Sequence, residues 1–381
     1  MPEEITGFKI QRANLSIIME KEEIAEQLDI LHKAPTTRYQ GSKRSILPWI
    51  YENLKSLPFE TVLDGFGGTG SVSYLFKLMN KKVTFNDILP SNCMTGLALI
   101  ENDSVTLDEE DLGFISHRNG FEYPTFIEDT FKGIYYTADE NRLLDVMALN
   151  IKMLSEKYKG DFLTKKQALA YHVLFQSCLC KRPFNLFHRK NLSLRTARDI
   201  KRSFGNKKTW NTSFCKLIKR FNEEASNKIF SNGFKHEAIS QDILYIKNKK
   251  FDLVYLDPPY ARADEKMPRD YHELYHFLDG MVDYDNWAKK INLNTKNKRL
   301  VRQKNHWNDG NIEDNFKALF EKFKDSIIVV SYGEPGSPSI YKIKKLLLKY
   351  KSKVRIAKKE YKYKLNHRNG HGLYEVLITG E

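Results

Sequence analysis

Residues 251–260, FDLVYLDPPY, decide the fold of this 381-residue chain. The run 251–256 suits a central strand covered by helices on both faces, since strands buried on both sides read as continuous apolar runs. The two prolines that follow cannot donate to a strand ladder, so the sheet stops at Asp257 and the backbone turns outward. In open α/β sheets, ligands bind at the carboxyl ends of strands, which makes Asp257, Pro258, Pro259 and Tyr260 a candidate site by position. Their chemistry suits an amine on an aromatic ring. The Asp257 carboxylate and the Pro258 carbonyl are acceptors for its two hydrogens, and Tyr260 offers a face on which a base can stack. A capping acid before a proline turn would share part of this pattern.

Upstream, residues 61–70 (TVLDGFGGTG) form a short strand that ends in Asp64 and enters a loop with Gly65, Gly67, Gly68 and Gly70. Residues 71–79 read as a helix with Ser71 near its start. Such a loop lets backbone approach a ligand closely. The next strand, 82–87 (KVTFND), ends in Asp87, 22 residues beyond Gly65. An acid at about that distance typically takes ribose hydroxyls, which points to a nucleoside-bearing cofactor. With no phosphate-loop lysine after these glycines, S-adenosylmethionine is favoured over ATP. Ahead of the first strand, residues 38–43 (RYQGSK) precede an amphipathic helix at 46–57. There Lys43 and neighbouring N–H groups are placed to hold the methionine carboxylate; a solvated lysine at a helix start is the alternative.

Composition fits a partner of opposite charge. Lys and Arg number 62 against 48 Asp and Glu, a net charge of +14, as expected for a nucleic-acid enzyme. The charge is concentrated at 181–220, with thirteen basic residues against the single acid Asp199. Phe184, Asn185, Phe187, His188, Phe204 and Trp210 are interleaved, residue types that line a groove or replace an extruded base. A solvated charged face would have the same composition. Four cysteines (Cys93, Cys178, Cys180, Cys215) form neither a disulfide framework nor a zinc site, and no metal is expected. Cys178 and Cys180 read as a buried helical pair in a reducing compartment. Without an apolar signal or spanning stretch the protein is expected to be cytoplasmic and soluble.

The remaining segments organise around these motifs. Residues 142–154 and 169–180 have helical periodicity, the second stopped by Pro183. Residues 261–268 read as a polar active-site loop and 326–331 as a buried strand. Ser337-Pro338 reads as the start of a helix through Tyr350, and 354–363 and 374–379 as final strands flanking the loop 366–372. Residues 20–33 suggest an amphipathic surface helix.

Taken in order, the motifs resemble the Dam-like class of adenine-N6 DNA methyltransferases, from about Arg38 to the C-terminus. That family's succession of (W/Y)xGxK, DxFxGxG, an acid after the second strand, a DNA-recognition insertion, a D-hydrophobic turn and DPPY is similar to 39–43, 64–70, Asp87, an insertion over 95–235, 241–243 and 257–260 here. One departure is Gly65, where the family usually has proline. The phrase KRPFNLFHRKNL (181–192) resembles a segment of restriction-associated members.

The resemblance implies a Rossmann-like α/β methyltransferase fold, mostly parallel with a C-terminal antiparallel strand, plus an inserted, mainly helical DNA-recognition lobe. It divides the chain into an N-terminal extension (1–35), an S-adenosylmethionine-binding catalytic domain (36–95 and 235–381) and a target-recognition domain (96–234). Tyr39, Lys43, Asp64, Phe66, Gly68, Asp87, Ile88, Asp242, Ile243 and Asp257 would line the cofactor pocket, with Asp242 on the cofactor's adenine amine. Asp257, Pro258, Pro259 and Tyr260 would receive the flipped base. Lys181, Arg182, Asn185, His188, Arg189, Lys190, Arg195, Arg202, Lys207 and Lys208 would face double-stranded DNA. A monomer is expected, modifying the site of a cognate restriction endonuclease. RNA adenine methylation, cytosine-N4 methylation of DNA, in which serine more often stands at the position of Asp257, and a non-catalytic DNA-binding subunit are the alternatives.

Overall fold

A computed structural model of the chain describes residues 29–36, 38–197, 207–247, 250–262, 270–360 and 373–381. Seven strands form one sheet: β1 (Thr61–Asp64), β2 (Lys82–Asn86), β3 (Glu237–Ile239), β4 (Leu253–Leu256), β5 (Ile327–Glu334), β6 (Val354–Glu360) and β7 (Tyr374–Gly380). Their order is β3-β2-β1-β4-β5-β7-β6, parallel throughout except β7, which runs antiparallel to both β5 and β6. The expected mostly parallel sheet with an antiparallel C-terminal strand is therefore present.

The helices that matter below are α1 (Leu47–Leu54), α2 (Ser71–Leu78), α3 (Pro90–Gly96), α4 (Glu109–Ser116), α5 (Ala138–Met153), α6 (Gly160–Cys180), α7 (Phe214–Ser226), α8 (Tyr271–Val282), α9 (Ile312–Lys322) and α10 (Ile340–Leu347). All of β4 is buried, and its side chains alternate between two cores, as the period of two requires. Leu253 and Tyr255 join Val62, Val83 and Phe85 under α1 and α2, while Val254 and Leu256 join Leu63, Ile328 and Val330 under α9 and α10. Helices cover both faces, which is why the run 251–256 is so apolar.

The segment 96–234 is mainly helical, and its helices share a core with the sheet. Leu144, Met147 and Ile151 of α5, Leu169 and Val173 of α6, and Leu217 and Phe221 of α7 belong to the same buried cluster as Val62 and Phe85. Apolar faces at helical spacing thus account for their folding. Cys178 and Cys180 are buried in α6 as expected, whereas Cys215 is exposed. None of the described helices is long and apolar enough to cross a membrane.

Several boundaries differ from expectation. The strand foreseen at 326–331 extends to Glu334, and Ser337 is not a helix cap but lies in a two-residue strand that pairs with Ala261–Arg262. The true cap is Ser339, whose hydroxyl accepts the Lys342 N–H, and α10 ends at Leu347. The rest of the 261–268 loop and the loop 366–372 lie outside the described residues, as does 20–28 of the foreseen N-terminal helix; residues 29–33 are helical.

Strand register sets the site. Asp64 pairs with Phe85 on one side and Tyr255 on the other, so β2, β1 and β4 all end at the same level. This level is held by a tight clamp on Phe85. A Cβ on Gly67 would come 2.2 Å from the Phe85 ring, and one on Gly96 would come 2.5 Å from it. Both glycines are thus required by close approach, and the turn after β1 docks onto β2 through them. Gly67→Ala should lose about 1–3 kcal/mol of stability by overpacking, and Phe85→Leu in the same chain should restore part of it. Urea unfolding of the single and double variants measures this; a wild-type midpoint for Gly67→Ala would contradict the clamp.

Candidate active site

Four strand ends and the turns beyond them enclose a cavity of about 790 Å³. Tyr39, Lys43, Asp64, Phe66, Gly68, Asp87, Ile88, Asp242, Ile243, Asp257, Pro258, Pro259 and Tyr260 all line it. Residues separated by most of the chain are brought together by the common level at which the parallel strands stop.

The glycine turn forms one wall. Gly68 and Gly70 have φ of +52° and +71°, the left-handed region that glycine occupies without strain. The Gly68 N–H donates to Asp87 Oδ2 (2.8 Å) and the Leu89 N–H to Asp87 Oδ1 (2.8 Å), so Asp87 ties the turn to the end of β2. Asp64 is buried beneath the turn. Its Oδ2 accepts the Ser73 hydroxyl (2.7 Å), whereas Oδ1 is buried with no hydrogen-bond partner. Burial pushes Asp64 up to about 7; the Ser73 hydrogen bond opposes the rise and the charges of Asp257 and Asp87 add to it.

Gly65 departs from the family's usual proline for a local reason. Its N–H donates to the Tyr255 carbonyl (2.9 Å), a bond that proline cannot make. A Cβ there would come 2.2 Å from Ile243 Cδ1. Ile243 occupies the space that a proline ring needs.

Asp257 sits across the cavity from this wall, in a turn that is firmly held. Trp307 donates its indole N–H to the Pro259 carbonyl (2.6 Å), leaving the neighbouring Pro258 carbonyl for the role expected of it. The Tyr260 ring rests on Tyr332 (4.6 Å between centroids), and Gly333 makes room for it, since a Cβ there would lie 2.2 Å from the Tyr260 hydroxyl oxygen. Asp257 is paired with Lys43: Nζ lies 3.0 Å from Asp257 Oδ1 and 3.5 Å from Glu375 Oε2. Burial alone would lower the pKa of the Lys43 ammonium, but the two carboxylates outweigh it and hold it well above its usual value. Burial raises Asp257 above the usual carboxylate range, with Lys43 working against the rise.

This placement adds to the reading of Lys43. Its ammonium pairs with Asp257 and Glu375, partners that the sequence did not give. Asp242 has a capping role as well as a place at the rim: it accepts the Leu244 N–H (3.0 Å), and His306 Nδ1 lies 2.9 Å from its Oδ2. Tyr39 is set by a stack of three near-parallel rings, 4.1 Å from Tyr275 and 5.6 Å from Tyr271.

Part of the basic run needs correction. Lys181, Arg182 and Arg195 are 2%, 1% and 8% exposed, so they do not face DNA. Lys181 and Arg195 pair with Glu140 (2.9 and 2.7 Å). Burial would raise the Glu140 pKa, but these two cations hold it below its usual value. Arg182 bonds the carbonyls of Leu186 (3.1 Å), Tyr135 (3.2 Å) and Arg189 (3.2 Å) and the Asn191 side chain. Its guanidinium also lies over the Tyr135 ring at 4.3 Å. These cations hold the insertion together, because buried carbonyls must be satisfied. Sequence counts them with the others because net charge carries no burial information.

Arg189 and Lys190 are exposed, Asn185 and His188 half-buried. Arg202 lies outside the described residues, and of Lys207 and Lys208 only the helical backbone is described. Phe184 and Asn185 line the cavity with φ of +60° and +56°, a strained conformation for residues with side chains, and Phe184 is 42% exposed. Trp307, Phe184 and Glu375 are functional candidates that the motif pattern did not assign. A tryptophan near a proline turn carries no sequence signal, but an aromatic-Asn pair after the α6 stop did.

The geometry sets a glycine turn on one side of a cavity and an acceptor at a proline turn on the other. The chain belongs to the D12 class N6 adenine-specific DNA methyltransferases, whose model matches residues 39–333. Among curated proteins it is similar to the type II methyltransferase M2.HphI of Haemophilus parahaemolyticus, 28% identical over 91% of this chain and 97% of that protein. It is also similar to the type II methyltransferase M.NlaIII of Neisseria lactamica, 23% identical over 85% of this chain and 91% of that protein.

Arg182→Met should cost about 2 kcal/mol or more, since several buried carbonyls lose their donor, while Lys190→Ala should stay within about 0.5 kcal/mol of the wild type. Thermal or urea unfolding separates the two; an unchanged Arg182→Met would return that residue to the surface role.

Proposed function

We propose that this protein transfers a methyl group from S-adenosylmethionine to the N6 amine of an adenine flipped out of double-stranded DNA, as the modification enzyme of a restriction-modification system. The observation that carries the reading is Asp257, held beside a buried lysine across one cavity from a glycine turn flanked by Asp64 and Asp87. Membership of the adenine-specific family and the type II names of its relatives support the substrate and the setting.

The residues present fit the cofactor. Asp64 Oδ1 is a buried acceptor without a partner, a position that a cationic or hydroxyl-bearing ligand would satisfy. Tyr39, Asp64, Phe66, Gly68, Asp87, Ile88, Asp242 and Ile243 would hold it, Asp87 through ribose hydroxyls and Asp242 through the adenine amine. When bound, S-adenosylmethionine supplies an electrophilic methyl group on a positively charged sulfur.

The chain's own groups do the rest by positioning. Asp257 and the Pro258 carbonyl accept the two amine hydrogens, which directs the nitrogen lone pair out of the ring plane. Those bonds strengthen as the amine becomes tetrahedral and its N–H more acidic, so the transition state is stabilised more than the ground state. Asp257 then takes the proton that the nitrogen releases. Tyr260, backed by Tyr332, stacks on the base. Phe184 and Asn185 at the rim, with His188, Arg189 and Lys190 beyond them, meet the duplex, and Arg202, Lys207 and Lys208 are further DNA contacts in this reading.

In this reading 36–95 and 235–381 form the catalytic domain, 96–234 the target-recognition domain and 1–35 an N-terminal extension. The protein acts as a monomer in the cytoplasm, at sites shared with a cognate endonuclease. Asp257→Ala should reduce tritiated methyl transfer to duplex DNA by at least about a hundredfold, the scale at which removing one preorganised hydrogen-bonding group acts. Near-normal transfer by a folded Asp257→Ala protein would rule this mechanism out.

A further inference from the structure

The cluster beneath Asp257 holds two carboxylates and one ammonium. Lys43 Nζ lies between Asp257 Oδ1 (3.0 Å) and Glu375 Oε2 (3.5 Å). Lys43 is 7% and Glu375 4% exposed. Glu375 does not line the cavity; it stands behind Lys43, on β7 opposite Gly333 of β5, the residue against which Tyr260 packs. Its Oε2 is buried, with no hydrogen bond at ordinary distance. A carboxylate in such a place costs free energy unless paired, and here it shares its cation with another carboxylate.

A one-to-one pair would neutralise Asp257 and weaken it as an acceptor. With Glu375 drawing on the same ammonium, two carboxyl groups share one positive charge, next to the place where positive charge develops on the amine. Lys43 in turn works against the rise that burial imposes on both carboxyls. We propose that Glu375 is a positioning residue for methyl transfer, sharing Lys43 with Asp257 so that the ammonium does not fully neutralise the Asp257 acceptor. This rests on the methyltransferase reading above.

Among the described residues, the charged and titratable groups facing this cluster are few. Lys43 comes from the turn before α1, Asp257 from the end of β4, Tyr255 from within β4, Tyr260 from the proline turn and Asp64 from the end of β1. Lys359 of β6 is the cross-strand neighbour of Glu375. Burial raises the Glu375 carboxyl, Lys43 lowers it and Asp257 raises it further.

The test is the pH dependence of kcat in Glu375→Gln, Glu375→Asp and Lys43→Met. Activity is lost as pH falls through the titration of Asp257. Removing the negative neighbour eases ionisation of Asp257, so Glu375→Gln should move this acid limb down by about one pH unit. The same variant should lower kcat about tenfold, with the KM values for DNA and cofactor changed less than about twofold. Lys43→Met should move the limb up, and Glu375→Asp, which keeps the charge, should leave it near the wild type. Should Glu375→Gln fail to fold, Glu375→Met removes the same charge with an apolar group of similar size and is read in its place. A charge-removed variant with the wild-type limb and kcat, or with the limb moved up, overturns the proposal. Failure of the wild type to methylate DNA is a separate result that overturns the functional reading and this inference with it.

Discussion

Carboxylates buried at one edge of a parallel sheet are the constraint on which this structure depends. β2, β1 and β4 stop in register, so Asp87, Asp64 and Asp257 are delivered to one cavity. Each would prefer water, and each is compensated differently. Asp87 takes two backbone N–H groups, Asp64 takes a serine hydroxyl, and Asp257 takes the Lys43 ammonium. Asp64, with one oxygen left unpartnered, and Asp257 line the space where, in the proposed reading, a cationic cofactor and an amine would meet, and Glu375 stands behind Lys43. Structural cost and function coincide at the same atoms.

The parts legible in sequence are those whose physics is local. A doubly buried strand must be apolar and must stop at two prolines, so 251–260 predicts both β4 and the turn. The glycines after Asp64 mark a turn because close approach to Phe85 excludes side chains at Gly67. The acid after β2 follows from spacing alone. Glu375 and Trp307, in contrast, matter through contacts with residues far away in the chain, and nothing near them in sequence marks those contacts. Lys43 was visible as a site residue, yet its ion-pair partners come from the end of β4 and from β7 and were not. The basic run failed in part for the same reason: Lys181, Arg182 and Arg195 differ from Arg189 and Lys190 only in which way the fold turns them.

The helices of 96–234 are built onto the sheet without a separate core. α5, α6 and α7 pack into the cluster that lies under β1 and β2. The segment after α6 is braced by the buried cations around Glu140 and by Arg182, and this bracing holds Phe184 and Asn185 in left-handed conformations at the cavity rim. Strain of that kind persists only where surrounding contacts over-determine it. It points to a contact made by those two residues, and the proposed partner is the duplex from which the base is taken.

Base-resolved mapping of modified nucleotides in DNA from a methylation-free host expressing the protein tests the central claim most directly. N6-methyladenine at one fixed sequence throughout the genome is the predicted result. Methylation of cytosine instead, or the absence of any modified base in DNA while the protein is folded and expressed, would contradict the account.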